Sequence, residues 1–142
     1  MLASRCMGDS VIDGQDALFR PHRVWLFAAR AGLAVALATT LFFALGPPPN
    51  GPGLLPWDKA QHFVAFYVLA GLTAAAFPKG RIWIIVAALL GLGGAIEVVQ
   101  GLPMVRRDAD VFDWVADTVG VTFALAPLLL ARWRLQSQSS RG

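Results

Sequence analysis

Four apolar blocks, each about as long as a bilayer is thick, constrain this chain more than any other feature of its sequence. They run over residues 24–45, 57–77, 82–100 and 112–133, and a helix needs about 20 apolar residues to span the hydrocarbon core of a membrane. Core helices of a soluble domain are usually shorter and keep a polar face. Only 15% of the residues are charged, against about a quarter in soluble domains. The sequence therefore predicts an all-α protein, a four-helix transmembrane bundle.

The segments between the blocks are rich in residues that end helices. GPPPNGPG (46–53) follows the first block, PKGR (78–81) the second and GLPMVRRDAD (101–110) the third. Proline and glycine in such runs break the helical backbone. We expect residues 1–22 to form a flexible or interfacial leader, residues 23–134 the membrane domain and residues 135–142 a polar tail.

The distribution of cations predicts how the bundle is oriented. Eight lie on the side of the termini: Arg5, Arg20, Arg23, Lys79, Arg81, Arg132, Arg134 and Arg141. Three lie on the opposite side: Lys59, Arg106 and Arg107. Because short cytoplasmic segments carry the excess of Lys and Arg, both termini are expected in the cytoplasm. The net charge of +3 is thus interpreted as a topology signal, and no nucleic-acid partner is expected.

Polar residues gather at the outer ends of the predicted spans. Asp58 and His62 are spaced i, i+4, and Glu97 and Gln100 are spaced i, i+3, so each pair shares a helix face. One further stripe comprises Asp110, Asp113, Asp117 and Gly120. A charge facing lipid at mid-span costs about 2.5–3.5 kcal/mol, so we expect these stripes to face one another in an acid-rich cleft that opens outward. Glycines 91, 93 and 94 would permit the close approach of helices.

The order of these motifs resembles the VanZ-like membrane proteins. The resemblance covers residues 57–125 and rests on DKAQHF (58–63), IEVVQ (96–100) and RDADVFDWVADTVG (107–120). The matching positions are Asp58, Lys59, His62, Phe63, Glu97, Gln100, Arg107, Asp110, Asp113, Asp117 and Gly120. Asp117 stands where Asn is as readily expected. The resemblance implies a multi-pass protein of the bacterial cytoplasmic membrane, and the name-giving member of the family is associated with resistance to the glycopeptide teicoplanin.

We therefore expect the cleft to bind an envelope amphiphile: a lipid, a lipid-linked precursor or a lipidated glycopeptide. The expected ligand-binding residues are Asp58, His62, Glu97, Gln100, Arg107, Asp110, Asp113 and Asp117. Arg107 would meet anionic groups, and the acids and Gln100 would bind sugars or amides. Membrane lipids are the other expected partners, and no cofactor is expected. The oligomeric state is left open.

An enzyme acting on envelope lipids is the main alternative, with Asp58 and His62 as a general base and Glu97 as an acid. A hydrolase with a Ser or Cys nucleophile is not expected, because the serines lie in the termini and Cys6 lies on the other side. A purely structural interpretation gives these residues no role in binding or catalysis: Asp58 caps a helix, and Glu97 pairs with Arg107 or Lys59. In the same interpretation, the acids at 110, 113 and 117 lie in the solvated start of a helix.

Two other functions are weaker. No metal is predicted, because no His-x-x-x-His or Cys-x-x-Cys spacing occurs and His22 is on the wrong side of the bundle. A small proton-coupled transporter would need polar groups at the midplane and below. The inner halves of the spans carry almost none.

Overall fold

The structure is a computed structural model that describes residues 21–46, 58–105 and 109–139. Four helices make up nearly all of this part of the chain: α1 (Pro21–Leu45), α2 (Asp58–Ala76), α3 (Ile82–Gln100) and α4 (Val111–Ser139). The all-α prediction is confirmed. Residues 1–20 of the predicted leader (1–22), residues 47–57 and residues 140–142 of the predicted tail lie outside the described residues. Pro21 and His22 belong to α1, and residues 135–139 continue α4.

The first three helices end within a residue of the predicted blocks. α1 stops before the proline-rich segment, and Gly46 N donates to Phe42 O across its last turn. A tight turn follows α2, closed by Gly80 N donating to Phe77 O at 2.8 Å. α3 ends at Gly101, whose N–H bonds back to Glu97 O. These closures satisfy helix-terminal backbone groups that would otherwise lack partners.

Helix α2 lies at the centre of the bundle and packs against each of the other three helices. Its buried side chains, Phe66, Leu69 and Ala70, form one core with residues of α3 and α4. The α3 and α4 members of that core are Ile85, Leu89, Ile96, Val121 and Leu125. The spacing of these residues by three and four positions places them on one face of each helix. The core thus sets how α2 and α4 face each other, which positions the polar residues considered below.

Three helices are long and apolar enough to cross a membrane: Arg23–Leu45, Ile82–Gln100 and Val111–Ala131. Large apolar side chains cover the outside of the bundle, including Trp25, Trp83 and Trp133. An apolar exterior of this kind is expected where lipid replaces water as the solvent. The α2 helix is not among the three. Its first two turns carry Asp58, Lys59 and His62, which lower its average hydropathy.

Arg30, the cation within the first apolar block, lies on the exposed surface of α1. Its guanidinium carbon is 5.7 Å from the centre of the Phe77 ring, just beyond the end of α2. A cation over an aromatic face is attracted by the ring quadrupole. Arg30 therefore lies at the same end of the bundle as the turn between α2 and α3, away from the starts of α2 and α4.

Candidate functional site

The start of α2 and the start of α4 face each other and supply most of the polar side chains of the bundle. The two helices run close together because Gly120 of α4 packs against the backbone of Phe63 and Tyr67 in α2. A Cβ at position 120 would collide with the Phe63 carbonyl oxygen. Of the predicted stripe, Asp113, Asp117 and Gly120 are buried and Asp110 is half-buried, so this face of α4 is turned inward.

Lys59 joins the two helices at the mouth of the site. Its ammonium contacts Asp110 Oδ2 at 2.5 Å and Asp113 Oδ1 at 3.1 Å. The side chain of Asp113 is 4% exposed, whereas those of Lys59 and Asp110 remain partly open to the outside. A buried carboxylate needs such a cationic partner, because desolvation of an unpaired charge is expensive. Lys59 was not among the predicted ligand-binding residues; its position directly after Asp58 in the DKAQHF motif is the signal that could have identified it.

His62 lies deeper and is held by a second carboxylate of α4. Its Nδ1 atom is 3.0 Å from Asp117 Oδ1, and its Nε2 atom is 3.9 Å from Asp113 Oδ2. Asp117 has no exposed side-chain surface, and its other oxygen, Oδ2, is buried without a hydrogen-bond partner. The sequence indicated that Asp58 would orient the imidazole. The structure gives that role to Asp117, with Asp58 nearby at the rim.

Helix α3 closes the site from a third side. Gly93 is buried against α4, and a Cβ there would lie 2.6 Å from Asp117 Oδ2 and 3.2 Å from Trp114 Cδ1. Trp114 donates its indole N–H to Leu90 O at 2.9 Å. Gly93 therefore allows the close approach that the sequence predicted, whereas a Cβ at Gly94 would make only ordinary contact with Trp114, at 3.6 Å. Gly91 has open space around it and does not take part.

Glu97 links α3 to the start of α4 through the backbone. Its Oε2 accepts the Asp110 N–H at 3.0 Å, whereas Oε1 is buried without a partner. Asp110 in turn caps α4, because its Oδ1 accepts the Phe112 N–H at 2.9 Å. The pairing of Glu97 with Lys59 that the structural interpretation suggested is therefore wrong, since Lys59 pairs with the two aspartates. Arg107, the other suggested partner, lies outside the described residues.

Gln100 takes a structural position. Its side chain is 3% exposed, and its Nε2 donates to Ala44 O in the last turn of α1 at 2.9 Å. This bond satisfies a carbonyl at a helix end and ties the end of α3 to the end of α1. Gln100 therefore contacts α1, whereas six of the predicted residues meet in one cluster. Together with Lys59 they are called here the polar cluster: Asp58, His62, Glu97, Asp110, Asp113 and Asp117.

The polar cluster is acid-rich. Five carboxylates face one lysine and one histidine. Hydrogen bonds from Lys59 and from the Phe112 N–H hold the pKa of the Asp110 carboxyl below its ordinary value. Burial increases from the rim, at Asp58 and Asp110, to the floor, at Asp117. The arrangement can accept hydrogen bonds or bind a cation, and its histidine can exchange a proton.

Comparison with protein-family models, with curated proteins and with solved structures finds no match to this chain.

Proposed function

We propose that this chain is an integral membrane protein whose polar cluster binds the headgroup of an envelope amphiphile at the outer leaflet. The observation that carries the proposal is the pair of buried carboxylate oxygens without partners, Glu97 Oε1 and Asp117 Oδ2. A buried polar atom left unpaired costs roughly 1–3 kcal/mol, and native structures contain few of them. A ligand donor that reaches Glu97 Oε1, on the half-buried residue of the pair, would remove this cost there.

The charge of the polar cluster favours one class of headgroup. Its carboxylates outnumber its cations, so the cluster is expected to repel a bare anion and to accept hydroxyl, amide or amine donors. Sugars and peptide amides of lipid-linked precursors or lipidated glycopeptides offer such donors. Arg107, which would meet an anionic group of the same ligand, follows α3 closely along the chain. The resemblance of the motifs to VanZ-like proteins supports this choice of ligand and a role in the response to glycopeptides.

The proposal includes an orientation in the bacterial cytoplasmic membrane. We take α2 as the fourth span and place both termini in the cytoplasm, as the excess of Lys and Arg on that side favours. Lys59 and His62, two of the polar residues that lower the hydropathy of α2, face the start of α4, so lipid would meet the apolar surface of α2. The polar cluster would then open to the envelope side.

Ligand binding can be tested by native mass spectrometry of the detergent-purified protein incubated with extracted bacterial envelope lipids. The wild type is expected to retain one lipid class that presents hydroxyl or amide donors. The Glu97→Gln variant, which keeps the size of the side chain but replaces one acceptor by a donor, is expected to retain less. The Arg81→Gln variant, at the opposite end of the bundle, is the control. Equal retention by all three proteins would contradict the proposal.

Orientation is tested separately by cysteine labelling. Cys6 is replaced by Ser and Val105, in the segment after α3, by Cys, and intact spheroplasts are treated with a membrane-impermeant maleimide. Labelling from outside is expected. Labelling only after lysis would place the polar cluster at the cytoplasmic face and contradict envelope binding.

One observation favours a second function, an enzyme that acts on envelope lipids. With Nδ1 of His62 held by Asp117, Nε2 would be free to accept a proton from water or a substrate hydroxyl, and Glu97 would act as the acid. Mass spectrometry of total lipids from cells with and without the protein separates the two functions. A headgroup species that appears or disappears favours the enzyme, and an unchanged lipid composition favours binding.

A further inference from the structure

Three side chains at the start of α2 and α4 converge on one point. Asp58, His62 and Asp113 each place one potential ligand atom within 4.8 Å of the others. The imidazole is 10% exposed and the Asp113 carboxylate 4% exposed, while Asp58 lies at the rim. We propose that these three residues hold a divalent transition-metal ion, of which Zn²⁺ fits the ligands best.

The buried carboxylate behind the histidine is the independent observation that points to a metal. Asp117, with no exposed side-chain surface, accepts the hydrogen bond of His62 Nδ1. A carboxylate can only accept, so in the neutral imidazole the proton belongs on Nδ1 and the lone pair on Nε2, the nitrogen that faces Asp113 Oδ2. Histidines that bind metals almost always donate their other N–H to a carboxylate, a carbonyl or water, which orients the ring and raises its basicity. Asp117 is therefore the positioning residue of this site.

Lys59 does not occupy the place of the ion. It contacts Oδ1 of Asp113, whereas His62 faces Oδ2 of the same carboxylate. Asp113 can thus keep its ion pair with Lys59 and give its second oxygen to a metal. Lys59 fixes the orientation of the Asp113 carboxylate. Its positive charge reduces the net negative charge of the site, and it leaves the position of the metal ion open.

The ligand set selects the class of ion. One imidazole nitrogen with two carboxylate oxygens suits Zn²⁺, whereas Mg²⁺ and Ca²⁺ prefer oxygen ligands alone. Two ligands at ordinary zinc distances in a tetrahedral site lie roughly 3.4 Å apart. Nε2 and Oδ2 are 3.9 Å apart, so a small rotation of either side chain closes the site around an ion. Three protein ligands leave one position open for an oxygen of a ligand or for water.

Metal binding is tested on the full chain in detergent, carrying Cys6→Ser and a purification tag without histidine. The protein is stripped with a chelator and dialysed against buffered Zn²⁺, and the bound metal is measured by mass spectrometry. One Zn²⁺ per chain is expected. His62→Ala and Asp113→Asn are each expected to lower the affinity at least tenfold, because a ligand is lost. Asp117→Asn, which keeps all three ligands, is expected to lower it roughly 10- to 100-fold.

The control is His22→Ala, which removes the chain's only other histidine and is expected to leave the affinity unchanged. Absence of binding to the wild type, or binding that survives His62→Ala, would overturn the proposal. Binding lost in His22→Ala would place the ion at the start of α1 instead and would likewise overturn the proposal. If His62→Ala does not fold, Asp58→Asn at the exposed rim decides: an unchanged affinity would overturn the three-ligand site. The test contains no amphiphile, so its failure is distinct from failure of the proposed function.

Discussion

The Nδ1 atom of His62 in α2 lies 3.0 Å from a carboxylate oxygen of Asp117 in α4, and this carboxylate is fully enclosed by the protein. The two residues are 55 positions apart, so the bond reports directly on how the two helices are placed. It connects the packing of the bundle with the chemistry of the polar cluster.

Removal of His62 should destabilise the bundle by about 3–5 kcal/mol, because His62→Leu leaves the buried Asp117 carboxylate without its partner. The double variant His62→Leu/Asp117→Leu should recover much of that loss, since apolar side chains can replace a buried pair at little cost. Unfolding in mixed detergent, followed by circular dichroism, measures both. A double variant less stable than His62→Leu would contradict this account of the pair.

Gly120→Ala should separate α2 from α4. The new Cβ meets the backbone of Phe63 and Tyr67, which cannot move aside as a flexible side chain can, and overpacking typically costs about 1–3 kcal/mol. Gly71→Ala is the matched control on α2, where nothing lies within 4 Å of the added carbon. It should be neutral or stabilising by up to about 1 kcal/mol. Equal melting temperatures for the two variants would refute the close approach at Gly120.

Gly93→Ala should disturb the floor of the polar cluster. Its Cβ would press on Asp117 Oδ2 and on the Trp114 ring, so we expect a loss of about 1–3 kcal/mol and weaker Zn²⁺ binding. Gly91→Ala, two residues away with open space around it, is the control: it should be neutral or stabilising by up to about 1 kcal/mol and should leave Zn²⁺ binding unchanged. Thermal unfolding and a zinc titration measure the two effects. If Gly91→Ala lowered stability and Zn²⁺ affinity as much as Gly93→Ala, the cause would be a change in the backbone of α3 and not the contact with Asp117.

The ion pair between Lys59 and Asp110 should depend on pH. Because the pKa of Asp110 is lowered in the folded protein, its contribution to stability is fully present above the ordinary pKa of about 3.8 and is lost as the pH falls through the lowered value. A double-mutant cycle with Lys59→Gln and Asp110→Asn isolates the coupling. We expect a favourable coupling at neutral pH that shrinks below pH of about 3.8. A coupling that is constant over this range would exclude a charged pair.

High salt provides a second check on the same pair. Lys59 and Asp110 are partly exposed, so their attraction should weaken as salt screens it. The coupling between the buried His62 and Asp117 should change less. The two double-mutant cycles, measured at low and high salt, separate the rim of the polar cluster from its floor.

The helices and their approximate ends could be predicted from the sequence. Apolar blocks of about 20 residues, separated by proline and glycine, allow few alternatives to membrane helices. Helical periodicity also showed that Asp113, Asp117 and Gly120 share a face. The cost of exposing charge to lipid implied that this face is turned inward. These inferences depend only on the local sequence or on lipid being the solvent around the helices. They do not require knowledge of how one helix packs against another.

The partners of the polar side chains were decided by the tertiary structure alone. Spacing along one helix pointed to Asp58 as the partner of His62, but the axial offset of α2 and α4 brings Asp117 into that place. The same offset brings Asp58, His62 and Asp113 to one point although no metal-binding motif occurs within either helix. That offset is set by the packing of Gly120 and the core. Periodicity determines which residues share a face, whereas only packing between helices determines which faces meet and at what height.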